Sequence, residues 1–408
     1  MKPLGPIPAG FGARDGVLTV DGVKVTELIA RVGTTPLFVY SSGMVARRIA
    51  DLRAAMPFSL SLHYAVKANP FEPLLRFMAP LVDGFDIASG GELGITLGAG
   101  IDPSLVSFAG PGKRSIELQA AIVQGVTLNV ESAAEARRAL AIGERLGRAP
   151  RLAIRVNPDF DLKGSGMKMG GGAKPFGVDT DKVPVLAREI VASGAQWRGF
   201  HIFAGSQSLD AAAIAETQGQ TLDLAARLAR EAGVDVPHLN LGGGLGIPYF
   251  SGDVPLDLAQ IGDALAARLE DLPDELAETR MCMEMGRYLV GEAGVYLTTI
   301  LDRKDSHGET FLVTDGGLHH QLAASGNFGT VVRRNYPVAI ASRFDAPPTE
   351  EASVVGCLCT PLDRLADKGH FPHAGEGDVV AVFCAGAYGA TASPSAFLGQ
   401  GPAREILV

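Results

Sequence analysis

Short apolar runs recur through residue 300, and amphipathic stretches separate them. The runs read "LHYAV" (62–66), "FDIA" (85–88), "LVSFAG" (105–110), "VTLNVES" (126–132), "RLAIRVN" (151–157), "GFHIFAG" (199–205), "HLNLGGG" (238–244) and "RMCMEMGR" (280–287). Each is short, rich in β-branched or aromatic residues and bounded by turn formers, which is the pattern of a strand buried on both faces. Between them, "SAAEARRALAIGERLG" (132–147) and "TLDLAARLAREAG" (221–233) place apolar residues at i, i+3 and i+4, one face of a helix. Eight strands alternating with helices over about 240 residues predict an α/β protein built on a (β/α)₈ barrel of TIM type.

Beyond residue 300 the alternation stops. "ETFLVTD", "EASVVGCLC" and "DVVAVFCAGAYG" are strand-like without intervening helices, and they predict a second, antiparallel β domain. An early stretch, "DGVLTVDGVKVTEL", reads as a hairpin able to join it. The expected division is therefore an N-terminal β segment over 1–35, the barrel over 36–300 and the β domain over 301–408. One loop, "DLKGSGMKMGGGAKPFG" (161–177), carries six glycines and reads equally as a mobile lid or as a flexible surface loop.

Composition narrows the class. The 408 residues are 47% apolar, enough for a large core, and the 51 glycines with few aromatics suit tight α/β turns. A net charge of −9 with no long basic run argues against nucleic acid or an anionic membrane surface as a partner. The N-terminus lacks an apolar signal region and no apolar run approaches a bilayer's thickness, so a cytoplasmic protein is expected. Cys282, Cys357, Cys359 and Cys384 read as free thiols. No Cys/His cluster has zinc spacing, and the pairs His319/His320 and His370/His373 are too sparse for a metal site, so no metal is expected.

Active sites of such barrels gather at the C-terminal ends of the strands. Several reactive residues fall there. Lys67 ends the first strand, in a segment that looks made for burial. Asp86 and the "SGGE" turn with Glu92 follow the second, Arg155 ends the fifth and Ser206 follows the sixth. Gly242, Gly243 and Gly244 follow the seventh, and Glu284 and Arg287 end the eighth. A strand-end Glu is often only an ion-pair partner, and a strand lysine can snorkel to water. Their convergence on one mouth answers a more specific need. Pyridoxal phosphate requires a lysine for its aldehyde, an anion cradle for its phosphate and a partner for its ring nitrogen.

The motifs "YAVKAN", "GFDIASGGEL", "GSQ", "LGGGLG", "E-x-GR" and "GAYG", in this order, resemble the fold-type III pyridoxal-phosphate decarboxylases of diaminopimelate, ornithine and arginine. The resemblance runs from about residue 36 to the C-terminus. It implies an alanine-racemase-like barrel plus a β-sandwich-like, Greek-key β domain. It implies that Lys67 bonds the cofactor aldehyde and that Glu284 holds the ring nitrogen; the family usually has proline where this chain has Met285. Gly242, Gly243, Gly244, Ser206, Gly286, Arg287 and Tyr388 would hold the phosphate, with Asp86 and Arg155 also at the cofactor. Phe203 stands where the family's second His of "H-x-H-x-GSQ" stacks on the ring. Cys359 takes the position of the catalytic cysteine, which in that family reaches in from the other subunit of a homodimer and protonates the carbanion left by CO₂.

Departures bear on the substrate. Diaminopimelate decarboxylases usually follow the cysteine with Glu, here Thr360, and carry an Arg and a Tyr in an "RP-LY" segment after "DAG", where this chain has Ala323 and Asn327. Losing two charge-assisted contacts, each contributing about 1.5–3 kcal/mol, argues against meso-diaminopimelate. A larger or less charged distal group is implied, read by residues among Arg287, His319, His320, Asn327, Arg333, Arg334, Thr360, Asp363 and Tyr388. Candidates are an amino acid, or one carried as a thioester on a carrier protein or on a siderophore or exopolysaccharide precursor; chains with "GMKMGGG-K-FG" and "LCTPLD" text resemble decarboxylases of such biosynthetic clusters. The alternatives are a true meso-diaminopimelate decarboxylase, an amino-acid racemase, which would pair the ring nitrogen with Arg, and a non-catalytic cofactor-binding homologue.

Overall fold

The computed structural model describes residues 2–326 and 334–408. The chain forms two compact units. One comprises Ile49–Ile247 with Pro255–Gly286; the other comprises the chain up to Arg48, Pro248–Val254 and Arg287–Val408. No helix among the described residues is long and apolar enough to cross a membrane.

The first unit is a closed parallel barrel. Its strands are β1 (Ser61–Ala65), β2 (Gly84–Ile87), β3 (Val106–Phe108), β4 (Thr127–Val130), β5 (Arg151–Asn157), β6 (Gln196–Ile202), β7 (His238–Asn240) and β8 (Arg280–Met285). Each pairs in parallel with the next, and β8 returns to β1, with Cys282 opposite Ser61 and Glu284 opposite His63. All eight predicted strands form, four of them as long as the apolar runs and four shorter, because the runs include turn residues such as the glycines after Asn240. The crossover helices begin where the sequence supplies side-chain caps. Ser132 accepts the Glu135 N–H ahead of Ala133–Leu146, and Asp210 accepts the Ala213 N–H ahead of Ala211–Ala232. That second helix starts ten residues before the amphipathic stretch read from the sequence, because Asp210 and the alanine-rich "AAAIAE" start it early.

The second unit is built on a mixed sheet rather than the antiparallel one expected. Its order is Val338–Ile340, Val379–Val382, Gly294–Ser306, Glu309–Thr314, Glu350–Val355 and Arg364–Phe371. Glu309–Thr314 and Glu350–Val355 run parallel, as do Arg404–Leu407 and Leu37–Tyr40. Leu37–Tyr40 also pairs with the 13-residue strand Gly294–Ser306, so residues assigned from sequence to the barrel's two ends belong to this sheet. The N-terminal strands Gly12–Arg14, Val17–Val20 and Val23–Lys24 form an antiparallel meander. Leu18 and Val20 of that meander pack with Val39, Val295, Leu297 and Phe383 in one buried core.

Candidate active site

The "YAVKANP" segment folds as a strand end followed by a single turn. Tyr64, buried at the end of β1, donates its hydroxyl to the Asn69 carbonyl (2.9 Å), and the Asn69 side chain accepts the Phe71 N–H (3.0 Å). These two contacts brace the one-turn helix Val66–Ala68, which carries Lys67. Lys67 is thus not in the strand, and its side chain is 43% exposed; the buried strand lysine expected from sequence is a lysine on the rim of the barrel mouth.

From that rim Lys67 Nζ donates to Glu284 Oε1 at 3.0 Å and lies 5.2 Å from the centroid of the Phe203 ring. Glu284, on β8, is buried, and its second oxygen, Oε2, lies 3.1 Å from His201 Nε2. Burial alone pushes the Glu284 carboxyl up. The Lys67 ammonium and His201 outweigh it and hold the group well below the usual carboxylate range. An ionised carboxylate only accepts hydrogen bonds, so His201 carries its proton on Nε2. His201 was missed in the sequence. Its signal was position: it lies on β6 two residues before Phe203 in "HIFAGSQ".

The glycine turn after β7 packs against this carboxylate's backbone. A Cβ on Gly243 would come within 2.0 Å of the Glu284 carbonyl oxygen, so nothing larger fits without moving β8. Gly242 donates to Asn240 Oδ1 (2.8 Å), whereas the Gly243 and Gly244 N–H groups donate to none of the described residues. Gly244 holds φ +100 and faces Leu162, from the glycine-rich loop. That loop is tied down over the ends of β6 and β7. Met167–Lys168 pairs antiparallel with Gly205–Ser206, and Gly166 and Met169 donate to the Gln207 and Ala204 carbonyls. Gly286 lies against Ala65 and Ala68, next to the Lys67 turn.

Other expected barrel residues stand elsewhere. Asp86 is not beside Lys67: it is buried on β2 with Oδ2 3.3 Å from His63 Nδ1, in a cavity at the strands' N-terminal ends. Arg155 donates to Glu131 Oε1 (2.9 Å) and lies over the Phe176 ring. Glu131 also accepts the Gly177 N–H (3.0 Å), and Lys113 pairs with Glu135 at 2.7 Å in the same buried network. Glu92 closes the "SGGE" turn by accepting the Ala88 N–H (2.6 Å), with Ser89 as helix cap.

In the second unit, Arg287 donates to the Tyr249 hydroxyl (2.6 Å) and its guanidinium lies 4.6 Å from the centroid of the Tyr388 ring. Burial works against the Arg287 charge, but the two phenols keep its pKa above the ordinary value, while burial pushes Tyr249 up to about 12. Cys359 is exposed, on the turn that contains Thr360. Asp363, expected at the substrate, is buried and accepts the backbone N–H groups of Leu318 (2.7 Å) and Leu358 (2.9 Å), so it joins two loops instead. His320 is likewise held, by the Tyr296 hydroxyl (3.1 Å) and the Gly401 carbonyl (3.0 Å); burial, then His319, brings its pKa to about 4. His319 is buried 3.9 Å from the His320 ring centroid, and neither of its ring nitrogens has a hydrogen-bond partner among the described residues. Arg334 lies 3.8 Å from the centroid of the Phe250 ring. Asn327 and Arg333 lie outside the described residues.

Residues 42–291 match the family model described as "Pyridoxal-dependent decarboxylase, pyridoxal binding domain". The chain is 33% identical over 396 residues to an L-glutamyl-[BtrI acyl-carrier protein] decarboxylase of Niallia circulans, covering 96% of this chain and 92% of the relative. It is also 33% identical over 404 residues to a diaminopimelate decarboxylase of Archaeoglobus fulgidus, covering 98% and 93%. The crystal structure of a diaminopimelate decarboxylase from Helicobacter pylori complexed with L-lysine superposes with a TM-score of 0.82 at 26% identity, over 94% of each chain.

Proposed function

The chain belongs to the family of pyridoxal-dependent decarboxylases, carboxy-lyases that use pyridoxal phosphate, and on that premise we propose that it removes the α-carboxylate of an amino acid carried through its distal end on a larger scaffold, acting in the cytoplasm as a homodimer. The observation behind the chemistry is the Lys67–Glu284–His201 chain at 3.0 and 3.1 Å beside the glycine turn. The residues present fit the cofactor. Gly243 and Gly244 offer two N–H groups without a partner among the described residues, which suits a phosphate. Lys67 offers an amine, and Glu284 offers a buried carboxylate.

Bound pyridoxal phosphate supplies an aldehyde for the substrate amine and a ring that accepts the electron pair released with CO₂. Lys67, whose amine stands at the barrel mouth, would be the residue that holds the cofactor's aldehyde. Glu284, kept ionised, fixes a proton on the ring nitrogen, and His201 holds the carboxylate in place. Phe203 offers an apolar ring face that neither titrates nor hydrogen-bonds. Cys359 of the partner subunit returns a proton to the α-carbon.

A glutamate side chain held as a thioester lacks a free distal charge, and Thr360 in place of the family's Glu suits such a group; the Niallia circulans relative is named for a carrier-bound glutamyl substrate. The second reading is meso-diaminopimelate, favoured by the Archaeoglobus fulgidus relative's name. Purified holoenzyme assayed for CO₂ release should act on an L-glutamyl carrier protein with kcat/KM at least about 100-fold above that for meso-diaminopimelate, the order expected when a charged distal group is left unpaired. Turnover of meso-diaminopimelate at the rate of a primary metabolic enzyme would overturn the carrier reading.

The shared site has its own test. Lys67→Ala and Cys359→Ala proteins are each expected to be weak alone. Unfolded together and refolded, half of the dimers are mixed and each mixed dimer has one intact site. Activity should then recover to about a quarter of wild type by random pairing. No recovery on mixing would remove Cys359 from the partner's site.

A further inference from the structure

The N-terminal mouth of the barrel holds a cavity of about 360 Å³, within the range of small-molecule sites, at the opposite end of the strands from Lys67. Arg151, Arg198 and Arg280, the first two partly buried, stand on its rim at the starts of β5, β6 and β8. None of the three has a carboxylate within ion-pair distance among the described residues; Arg151 donates only to the Gly125 carbonyl (2.8 Å). Three guanidiniums with no ion-pair partner among the described residues repel one another, and Arg198 and the adjacent His238 both feel it. Burial, then Arg151 and Arg280, brings Arg198 down to about 10, and burial with the same three arginines brings His238 down to about 4. An anion seated among them relieves this.

The floor has a different chemistry. Asp86 is 95% buried by its 5% exposure, and neither carboxylate oxygen has a hydrogen-bond partner, apart from the ion-pair contact to His63. Ser107, Asn129 and Asn240 line the same space. Such a floor wants donors, as hydroxyl groups are. Asn240 is also the residue that accepts the Gly242 N–H.

We propose that this mouth is a second binding site, for a small polyhydroxy compound with a phosphate or carboxylate head: the head among Arg151, Arg198 and Arg280, the hydroxyls on Asp86 and its neighbours. The site is distinct from the cofactor's, and its occupancy does not depend on which amino acid is decarboxylated.

Holoenzyme, in which the cofactor already fills its own phosphate cradle, is titrated by calorimetry at constant ionic strength with sorbitol 6-phosphate, gluconate and sorbitol. The first or second ligand should bind once per chain, at least about tenfold tighter than sorbitol, a difference of about 1.4 kcal/mol. Sorbitol 6-phosphate binding assigns the phosphate head, and gluconate binding assigns the carboxylate head. The Arg198→Gln/Arg280→Gln double variant should weaken binding at least tenfold while its bound-cofactor absorbance stays unchanged. Should that variant lose its fold, Arg280→Gln alone, at an exposed side chain, carries the same test. No saturable binding of either anion, or undiminished binding in the variants, overturns the proposal.

Discussion

Lys67→Ala protein is expected to lose decarboxylation by about 10⁴-fold or more, together with the visible band of cofactor joined to an amine, because no other group replaces a covalent lysine. Lys67 has two duties in the geometry. Its amine is the group we propose to bond the cofactor, and its charge offsets the buried Glu284 carboxylate at 3.0 Å. Alanine removes both, so lost activity alone would not separate chemistry from packing. Lys67→Arg separates them. Arginine keeps a cation beside Glu284 but its guanidinium forms no bond with an aldehyde at neutral pH. The arginine protein should therefore unfold near the wild-type temperature, yet lack the visible band of cofactor joined to an amine and be inactive. Borohydride reduction of wild-type holoenzyme followed by peptide mass analysis should place the cofactor on the Lys67 peptide. The amine-joined band and activity surviving in Lys67→Arg, or label on another lysine, would end the assignment.

The barrel was legible because parallel strands buried on both faces read as unbroken apolar runs, and eight such runs alternated with amphipathic stretches. The β unit was less so. Gly294–Ser306 begins "GVYLTTI" and ends "LDRKDS", so it shifts from buried to exposed partway along and resembles no single strand template. Leu37–Tyr40 was read into the barrel because sequence order does not reveal that it pairs with a strand more than 250 positions later.

At the site, the same limit applies to side-chain direction. Lys67, Glu284 and the glycine turn were legible as strand-end residues, since that end of a barrel collects reactive groups. Asp86 was misplaced by a few ångströms of strand: within the "FDIAS" run it sits inside β2 rather than past its end, and it faces His63 near the opposite mouth. The arginines of that mouth were invisible, because Arg151, Arg198 and Arg280 come from three separate strand starts and only barrel closure brings them together. Asp363 and His320 looked like substrate contacts because polar residues in loops often are. Asp363 accepts two backbone amides and His320 meets a phenol and a carbonyl, contacts that tie both to the fold.

The second large effect concerns Glu284. Glu284→Gln keeps the shape and a hydrogen bond but removes the charge that, in the proposed mechanism, would fix a proton on the ring nitrogen. Decarboxylation should fall by about 10²–10³-fold, the scale of losing a preorganised electrostatic contact. His201 meets the Glu284 carboxylate at 3.1 Å, so it acts as a positioning residue for that group. A hydrogen bond to a charged group contributes about 1.5–3 kcal/mol, so His201→Leu should cost about ten- to hundredfold. The pH dependence of stability separates charge from packing. In the apo fold the Glu284 carboxyl lies below its ordinary value of 4.5, so on acidification the unfolded chain takes up that proton first. The stabilisation is therefore present above about pH 4.5 and is lost as pH falls through the folded value. The urea midpoint of the wild-type apoprotein should drop more steeply between about pH 5 and 4 than that of Glu284→Gln, which has no such proton to bind. Parallel midpoints for the two proteins across that window, or a Glu284→Gln enzyme with wild-type kcat, would show that the carboxylate is not held ionised for the ring.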